Sequence, residues 1–136
     1  MMASMSLLKQ FLDAENRRDW NLWGSLLHPE VQYQIIGEQE VVRGKEHYVR
    51  RMQQAYTALP DWQFYPLHIY GDEQTILVEF DGAGHFVGEH RGRQYEGVPL
   101  HLTSVCIFEF RDGLISTVRE YLDQAGYERQ LSVADT

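Results

Sequence analysis

A long segment rich in apolar residues lies in the C-terminal half of the chain. Residues 98–110 read VPLHLTSVCIFEF, rich in the β-branched and aromatic types that favour a strand. Asp112-Gly113 follows, a dipeptide typical of a two-residue hairpin turn, and residues 114–122 are the predicted return strand. At roughly 3.3 Å per residue the first strand would span about 40 Å, more than a flat sheet in so small a domain can cover. We therefore expect a strongly curved sheet that leaves a trough.

Helical periodicity marks the N-terminal half of the chain. Apolar residues recur every three or four positions in residues 4–17 and again in residues 45–59, so each segment predicts an amphipathic helix. Glu15 falls on the apolar stripe of the first helix. Asp19 is placed to cap a short helix over residues 20–27. The pattern predicts three helices before most of the sheet.

Further strands are predicted between and after these helices. Residues 31–35 alternate apolar and polar side chains, and residues 62–70 and 74–87 are rich in strand-forming types. Gly82-Ala83-Gly84 predicts a bulge or sharp bend within the last of these strands. Because helices come first and strands later, the sequence indicates an α+β fold with helices on one face of the sheet.

The side chains of residues 98–110 form two sets that point to opposite faces of the sheet. We expect the more apolar set to pack on the helices: Leu100, Leu102, Cys106, Phe108 and Phe110. We expect the other set to face outward: His101, Thr103, Val105, Ile107 and Glu109. With Val118 also predicted to face outward, the sheet would expose an apolar patch. A homodimer formed through this face would cover it.

Composition narrows the function classes. The chain has 136 residues, enough for one domain with its own core, and a net charge of −8 that argues against a nucleic-acid partner. No apolar run approaches the ~20 residues that cross a bilayer, and the N-terminus lacks the pattern of a secretion signal, so no membrane role is expected. Cys106 is the single cysteine, which excludes an internal disulfide and favours the cytoplasm.

Several short motifs together resemble one known family. They are Asn16, Asp19-Trp20, Pro60-Asp61, Gly84-His85-Phe86-Val87-Gly88-Glu89, Gly97, Arg111-Asp112-Gly113-Leu114-Ile115, Glu120, Asp123 and Gln130-Leu131. In this order and at these spacings the chain resembles the SnoaL-like polyketide cyclases of the nuclear transport factor 2-like superfamily. The likeness covers nearly the whole chain, as one domain over residues 1–136 with an ordered core at about residues 4–131.

The resemblance implies a fold and a chemistry. The fold would be a cone in which a curved antiparallel or mixed sheet wraps around three N-terminal helices. Members of the family catalyse an intramolecular aldol condensation without metal or cofactor, using an aspartate on the last strand as acid and base. Asp123 matches that aspartate, and His85 matches a family histidine that would hydrogen-bond the substrate oxygen. We accordingly expect no cofactor and no metal ligands.

Two departures from related patterns bear on the substrate. Where the steroid isomerases of the superfamily carry their base, this chain reads Tyr33-Gln34-Ile35-Ile36 and has no carboxylate, which disfavours that activity. Residues 89–96 are more charged than the corresponding family segment. The identity of the substrate therefore stays open.

Each candidate site residue also has a purely structural interpretation. Asp123 could instead cap a helical turn over residues 124–130, and His85 could lie on the sheet surface. Arg119 and Tyr121 share the strand parity of Asp123, so all three would point into the cone together; Arg119 could otherwise pair with Glu79 or Glu109. An aromatic pocket wall is predicted from six residues that could equally be core: Trp20, Trp23, Tyr33, Tyr48, Tyr56 and Trp62.

Two functions of different classes follow from the sequence. The first is a cofactor-independent cyclase, isomerase or related lyase that acts on a small hydrophobic carbonyl or polyketide-like compound. The second is a non-catalytic module that binds a small ligand or another protein on the same scaffold. Catalysis requires Asp123 inside a closed apolar pocket, whereas Asp123 turned outward onto backbone amides would favour the binding module.

Overall fold

The computed structural model describes residues 3–133, which form four helices and six strands. In chain order the elements are α1 (Ala3–Asn16), α2 (Trp20–Ser25), β1 (Leu27–Ile35), β2 (Val42–Arg43), α3 (Lys45–Ala58), β3 (Gln63–Gly71), β4 (Thr75–His90), β5 (Arg93–Arg111), β6 (Leu114–Leu122) and α4 (Gln124–Val133). The sheet order is β2-β1-β6-β5-β4-β3, with β1 parallel to β6 and every other pair antiparallel. The predicted α+β fold with a mixed sheet is confirmed.

The central hairpin forms as the sequence indicates, and its first strand is longer than predicted. β5 has 19 residues and β4 has 16, because the charged segment of residues 89–96 continues both strands into a further hairpin. At the β5–β6 turn, Asp112 and Gly113 both have positive φ, 55° and 74°. That backbone is the one a two-residue hairpin turn with matching twist requires.

The glycines of β4 have a different role from the predicted bulge. The pairing of β4 with β5 runs without a break from Thr75 to Phe86 and shifts only between Phe86 and Val87. Gly82 and Gly84 instead leave room for Trp62, since a Cβ at Gly82 would lie 2.4 Å from its ring. The predicted bulge at these glycines was wrong, while the alternative of a sharp bend stays a prediction. The absent side chains allow Trp62 to pack closely against the strand.

The inner and outer faces of β5 are those predicted, whereas the faces of β6 are reversed. Leu100, Cys106 and Phe108 are buried on the helix side. Residues directly opposite in an antiparallel pair point to the same face, and Phe108 pairs with Val118 while Cys106 pairs with Glu120. Val118 is therefore buried, which corrects its predicted outward position, and Glu120 faces the interior with it.

Helices α1 to α3 pack an aromatic core against the inner face. Asp19 caps α2 as predicted, its Oδ1 accepting a hydrogen bond from the Leu22 backbone N–H at 3.2 Å. Phe11 stacks on the fully buried Trp23, with ring centroids 4.7 Å apart. The Asn16 side chain donates to the Phe64 carbonyl (2.8 Å) and accepts from its N–H (3.1 Å), which fixes the end of α1 to β3. None of the helices in residues 3–133 is long and apolar enough to span a membrane.

Candidate active site

A cavity of about 520 Å³ lies between the helices and the inner face of the sheet. Its volume is within the range of small-molecule sites. Most of its wall is apolar, formed by Phe11, Leu12, Ile35, Met52, Ala55, Leu59, Phe64, Phe80, Leu102, Cys106, Phe108, Val118 and Leu122. Three carboxyl groups also line the cavity: Glu38 is exposed at its edge, whereas Glu15 and Glu120 interrupt the apolar lining within it.

Glu15 comes from the last turn of α1, where the apolar stripe of the helix faces the cavity. Its Oε2 accepts a hydrogen bond from the Tyr56 hydroxyl at 2.5 Å, and its Oε1 accepts one from Trp23 Nε1 at 3.1 Å. Burial raises the pKa of Glu15 to about 7, and the charge of Glu120 adds to that rise, while the two hydrogen bonds partly oppose it. The carboxyl group is therefore close to half ionised at neutral pH.

Glu120 lies on β6 and points into the same cavity. Its Oε1 accepts a hydrogen bond from the Tyr33 hydroxyl at 2.6 Å. Burial raises the pKa of Glu120, and the charge of Glu38 contributes to the rise, whereas the Tyr33 hydrogen bond and the charge of Arg51 lower it. Arg51 and Glu38 both line the cavity, so each is placed to act on this carboxyl group.

The two carboxyl groups have different charged neighbours. The charge of Glu120 is one cause of the raised pKa of Glu15, whereas the charge of Arg51 favours the ionised form of Glu120. Both pKa values are raised by burial, and that of Glu15, at about 7, lies in the range that suits proton transfer near neutral pH.

A rigid support behind Glu15 keeps its hydrogen bonds in place. The Arg18 guanidinium lies 3.8 Å from the centroid of the Tyr56 ring and donates to the carbonyls of Trp62 (2.7 Å) and Pro60 (3.2 Å). Arg18 itself has a positive φ of 60° at the end of α1. One side chain thus joins α1, α3 and the segment before β3, which fixes the phenol that bonds Glu15.

Of the six aromatic residues predicted to line the pocket, four do: Tyr33, Tyr48, Tyr56 and Trp62. The other two belong to the core behind that wall. Trp23 is fully buried, and the Trp20 ring centroid lies 5.3 Å from that of Trp23 and 5.6 Å from that of Tyr56. The structure does not bring Arg119 or Tyr121 to the cavity. Arg119 bonds Glu109 on the outer face, the alternative the sequence left open, and Tyr121 is exposed there. Both follow from the reversed faces of β6.

The structure also does not bring Asp123 and His85 to the cavity. Asp123 is exposed, and its Oδ1 accepts from the Gly126 N–H at 2.8 Å, which is the capping position at the start of α4. His85 is exposed on β4, where its Nδ1 lies 2.6 Å from Asp61 Oδ2. The catalytic roles that the resemblance implies for these two residues stay predictions.

Sequence reasoning passed over the two carboxyl groups that the cavity contains. A signal for Glu15 was present, since it falls on the apolar stripe of α1. Charged residues are rarely buried unless they have hydrogen-bond or ion-pair partners, so this position indicates a special environment. The signal for Glu120 was its alternation with Val118 and Leu122, both cavity-lining residues of β6. It could be interpreted only once the faces of that strand were known.

Comparison with known proteins identifies the family. The sequence model of the SnoaL-like polyketide cyclases matches residues 6–131. The phenazine biosynthesis protein PhzB1 of Pseudomonas aeruginosa is 34% identical over 101 residues, which are 71% of this chain and 59% of that protein. The chain thus spans well under two thirds of the length of that relative. It belongs to the SnoaL-like polyketide cyclase family.

Solved structures show the same fold at low sequence identity. A protein of Jannaschia sp. CCS1, described as SnoaL-like, superposes with a TM-score of 0.86 at 15% identity, covering 96% of this chain and 92% of the other. An LEH-like epoxide hydrolase of M. tuberculosis superposes with a TM-score of 0.76 at 18% identity, covering 95% and 89%. The nuclear transport factor 2-like cone predicted from the sequence is confirmed.

Proposed function

We propose that this protein is a cofactor-independent acid/base enzyme that acts on a small hydrophobic carbonyl compound. The reaction is an aldol-type cyclisation, an isomerisation or a related lyase step. The observation that carries the proposal is the pair of carboxyl groups, Glu15 and Glu120, with raised pKa in an apolar cavity of ligand size. Strongly perturbed carboxyl groups in a cleft are typical of catalytic sites. Membership of the SnoaL-like family also supports it.

The two carboxyl groups take different roles in this proposal. Glu120, whose ionised form the charge of Arg51 favours, removes the proton from a carbon next to the carbonyl group and leaves an enolate. In a cyclisation the enolate carbon attacks a second carbonyl carbon, and Glu15 donates its proton to the alkoxide so formed. In an isomerisation Glu15 donates its proton to a different carbon of the conjugated enolate. The proton on Glu120 then returns to Glu15 through solvent or substrate, which restores both groups.

One observation favours the second candidate, a non-catalytic ligand-binding module. Asp123, the residue that the family resemblance implies as acid and base, is turned outward onto a backbone amide. If the chemistry of the family depended on that residue alone, this chain would keep the cavity and lack the reaction. The enzyme proposal replaces Asp123 with Glu120 and Glu15, so the two candidates differ in a testable way.

The test compares matched carboxyl variants on an identified ligand. Aromatic and polycyclic ketones are screened by thermal shift, and compounds that bind are assayed for turnover with the native protein, Glu120→Gln, Glu15→Gln and Asp123→Asn. We expect Glu120→Gln to keep ligand binding and to lower kcat by about 10²–10⁴-fold, and Asp123→Asn to keep both. Undiminished turnover in Glu120→Gln would reject the role proposed for Glu120, and a protein that binds ketones and converts none would reject the enzyme proposal.

We also propose that the protein is a homodimer that forms in the cytoplasm through the outer face of the sheet. Large apolar side chains lie exposed on that face: Tyr65 is 62% exposed, Tyr70 62% and Tyr121 45%. Tyr65 and Tyr70 lie on β3, and Tyr121 lies opposite Val105 on the neighbouring strands. A second copy would cover this patch. Analytical ultracentrifugation of Tyr121→Glu against the native protein tests the dimer, and the variant is expected to be a monomer.

A further inference from the structure

The Tyr48 hydroxyl differs from the other phenols beside the buried carboxyl groups. The Tyr33 hydroxyl donates to Glu120, and the Tyr56 hydroxyl donates to Glu15. Tyr48 is 3% exposed and lines the same cavity, yet within residues 3–133 its hydroxyl has no hydrogen-bond partner. Every fully buried side-chain nitrogen or oxygen in that part of the chain does have a partner. The Tyr48 hydroxyl therefore lies on the open surface of the cavity.

The Tyr48 ring is held so that this hydroxyl has a fixed position. It stacks on Tyr33, with ring centroids 4.5 Å apart and planes at 14°, and it meets Trp23 edge to face at 4.7 Å. Burial raises the pKa of Tyr48 well above its ordinary value, and the charges of Glu15 and Glu120 add to the rise. The hydroxyl stays protonated at any working pH and lies within electrostatic reach of both carboxyl groups.

We propose that the Tyr48 hydroxyl donates a hydrogen bond to the carbonyl oxygen of the substrate and stabilises the negative charge that develops there. This inference rests on the proposed function and names the group that holds the oxygen while Glu120 takes the proton. It also narrows the substrate class to an enolisable ketone or aldehyde whose oxygen faces α3. Neither Tyr33 nor Tyr56 can serve as this donor, because each has its single hydroxyl proton committed to a carboxyl group.

A donor fixed in advance is effective because it requires no reorganisation as the charge forms. Removing one such donor from an oxyanion site costs about 10²–10³-fold in kcat. The arrangement also explains why a hydroxyl with no acceptor among residues 3–133 is kept in a mostly apolar wall, where it would be expected to lower stability. In this proposal the ligand is its hydrogen-bond partner.

The test uses 9-fluorenone, a planar ketone with no proton on the carbons next to its carbonyl group, so that it reports binding without turnover. In the native protein we expect the infrared C=O stretch of bound fluorenone to lie below its value in an apolar solvent. In Tyr48→Phe the stretch should return towards that value and Kd should rise about 2–10-fold, the loss of one net hydrogen bond. A stretch that stays low in Tyr48→Phe contradicts the proposal, as does a native protein that fails to bind fluorenone.

Tyr127→Phe is the matched control. Tyr127 also lines the cavity, its hydroxyl has no hydrogen-bond partner within residues 3–133, and it lies on α4, where Glu128 is the carboxylate that affects it. Its removal should leave the carbonyl stretch unchanged, and an equal change in both variants would contradict a specific role for Tyr48.

Stability provides a second readout, because Tyr48→Phe removes a cavity hydroxyl that has no hydrogen-bond partner within residues 3–133. The variant should be at least as stable as the native protein, whereas Tyr33→Phe and Tyr56→Phe each leave a buried carboxyl group without a donor and should be less stable. The fluorenone experiment is also independent of Glu120 chemistry. Suppose that Tyr48→Phe loses the shift of the carbonyl stretch while Glu120→Gln keeps full turnover. That result would support the Tyr48 site and reject the role of Glu120 in the proposed function.

Discussion

Carboxyl groups inside the cavity and carboxyl groups on the surface have opposite environments in this fold. Glu15 and Glu120 accept hydrogen bonds from phenol and indole groups, have no cation within ion-pair distance in the described residues, and have raised pKa values because of burial. Asp61 and Glu128 lie at the surface beside His85 and His90, and hydrogen bonds from these histidines lower the pKa of each. Carboxyl groups thus have raised pKa values inside the cavity and lowered pKa values at the surface.

The difference indicates which groups can transfer protons near neutral pH. A carboxylate with a lowered pKa stays ionised through the physiological range and can only hold its partner in place. A carboxyl group whose pKa is about 7 can give or take a proton at little cost. His85 lies at the surface, where its Nδ1 is 2.6 Å from Asp61 Oδ2. The proposed chemistry therefore uses the carboxyl groups inside the cavity, Glu15 and Glu120.

The largest expected effect on stability comes from neutralising the carboxyl groups inside the cavity. Glu15 has a pKa of about 7 in the folded protein against an ordinary glutamate pKa of about 4.5, so the folded protein keeps a proton that the unfolded chain releases. Stability should therefore fall as the pH rises from about 4.5 to 7 and stay low above that range. We expect Glu15→Gln to remove this loss and to raise the free energy of unfolding by about 3 kcal/mol at pH 8, with little gain at pH 4.

Urea unfolding of the native protein and Glu15→Gln at pH 4, 6 and 8 measures the effect. Glu89→Gln is the matched control, because Glu89 is exposed on β4 and should show no such dependence. A gain that is equal at all three pH values would contradict the raised pKa of Glu15. It would also remove the distinction between inner and surface carboxyl groups on which the proposed function rests.

The second effect concerns the wall of the cavity. Gly82 has no positive φ, so Gly82→Ala is free of backbone strain, but its Cβ would lie 2.4 Å from the Trp62 ring. Trp62 must move, and we expect a loss of about 1–3 kcal/mol in the free energy of unfolding. Because both residues line the cavity, the displaced ring should also weaken ligand binding.

Shortening Trp62 separates this clash from other causes. In the double variant Gly82→Ala with Trp62→Leu the clash is absent, so its loss of stability should be smaller than the sum of the two single losses. Ala83→Gly, at the exposed neighbouring position, controls for backbone flexibility in β4. Strict additivity of the two single variants would contradict the packing role assigned to Gly82.

The fold followed from the sequence because strand length, turn chemistry and helical periodicity are local signals. The Asp112-Gly113 turn and the two faces of β5 were correct since each depends on a few adjacent residues. The site residues could not be predicted in the same way. Asp123 was assumed to point into the cone, and the alternation of a strand then assigned Arg119 and Tyr121 to the inner face and Glu120 to the outer face. Asp123 lies beyond the end of that strand, so its direction sets no parity for Glu120.

The pairing of β6 with β5 contained the missing information. Cys106 was already assigned to the inner face, and Glu120 lies directly opposite it. That register cannot be fixed from the turn alone, because the ladder shifts between Glu109 and Phe110 and reverses the parity expected from a regular hairpin. The hydrogen bonds that join Glu15 to Trp23 and Tyr56 depend on how three helices pack, which no local pattern specifies.

The smallest expected effect separates the capping role of Asp123 from its predicted catalytic role. Asp123→Ala removes the acceptor for the Gly126 N–H at the start of α4 and should cost about 1 kcal/mol, seen as faster amide exchange in α4. Asp123→Asn should lose little, because asparagine caps helices as well as aspartate does. Turnover of a bound ketone should persist in both variants, since the cavity carboxyl groups are unchanged.

A different result would contradict this assignment. If turnover disappeared in both variants while the amides of α4 kept their slow exchange in Asp123→Asn, the surface carboxylate Asp123 would be the proton-transfer group. The contrast between inner and surface carboxyl groups would then be wrong for this protein, because a group with an intact capping bond would also have to reach the substrate.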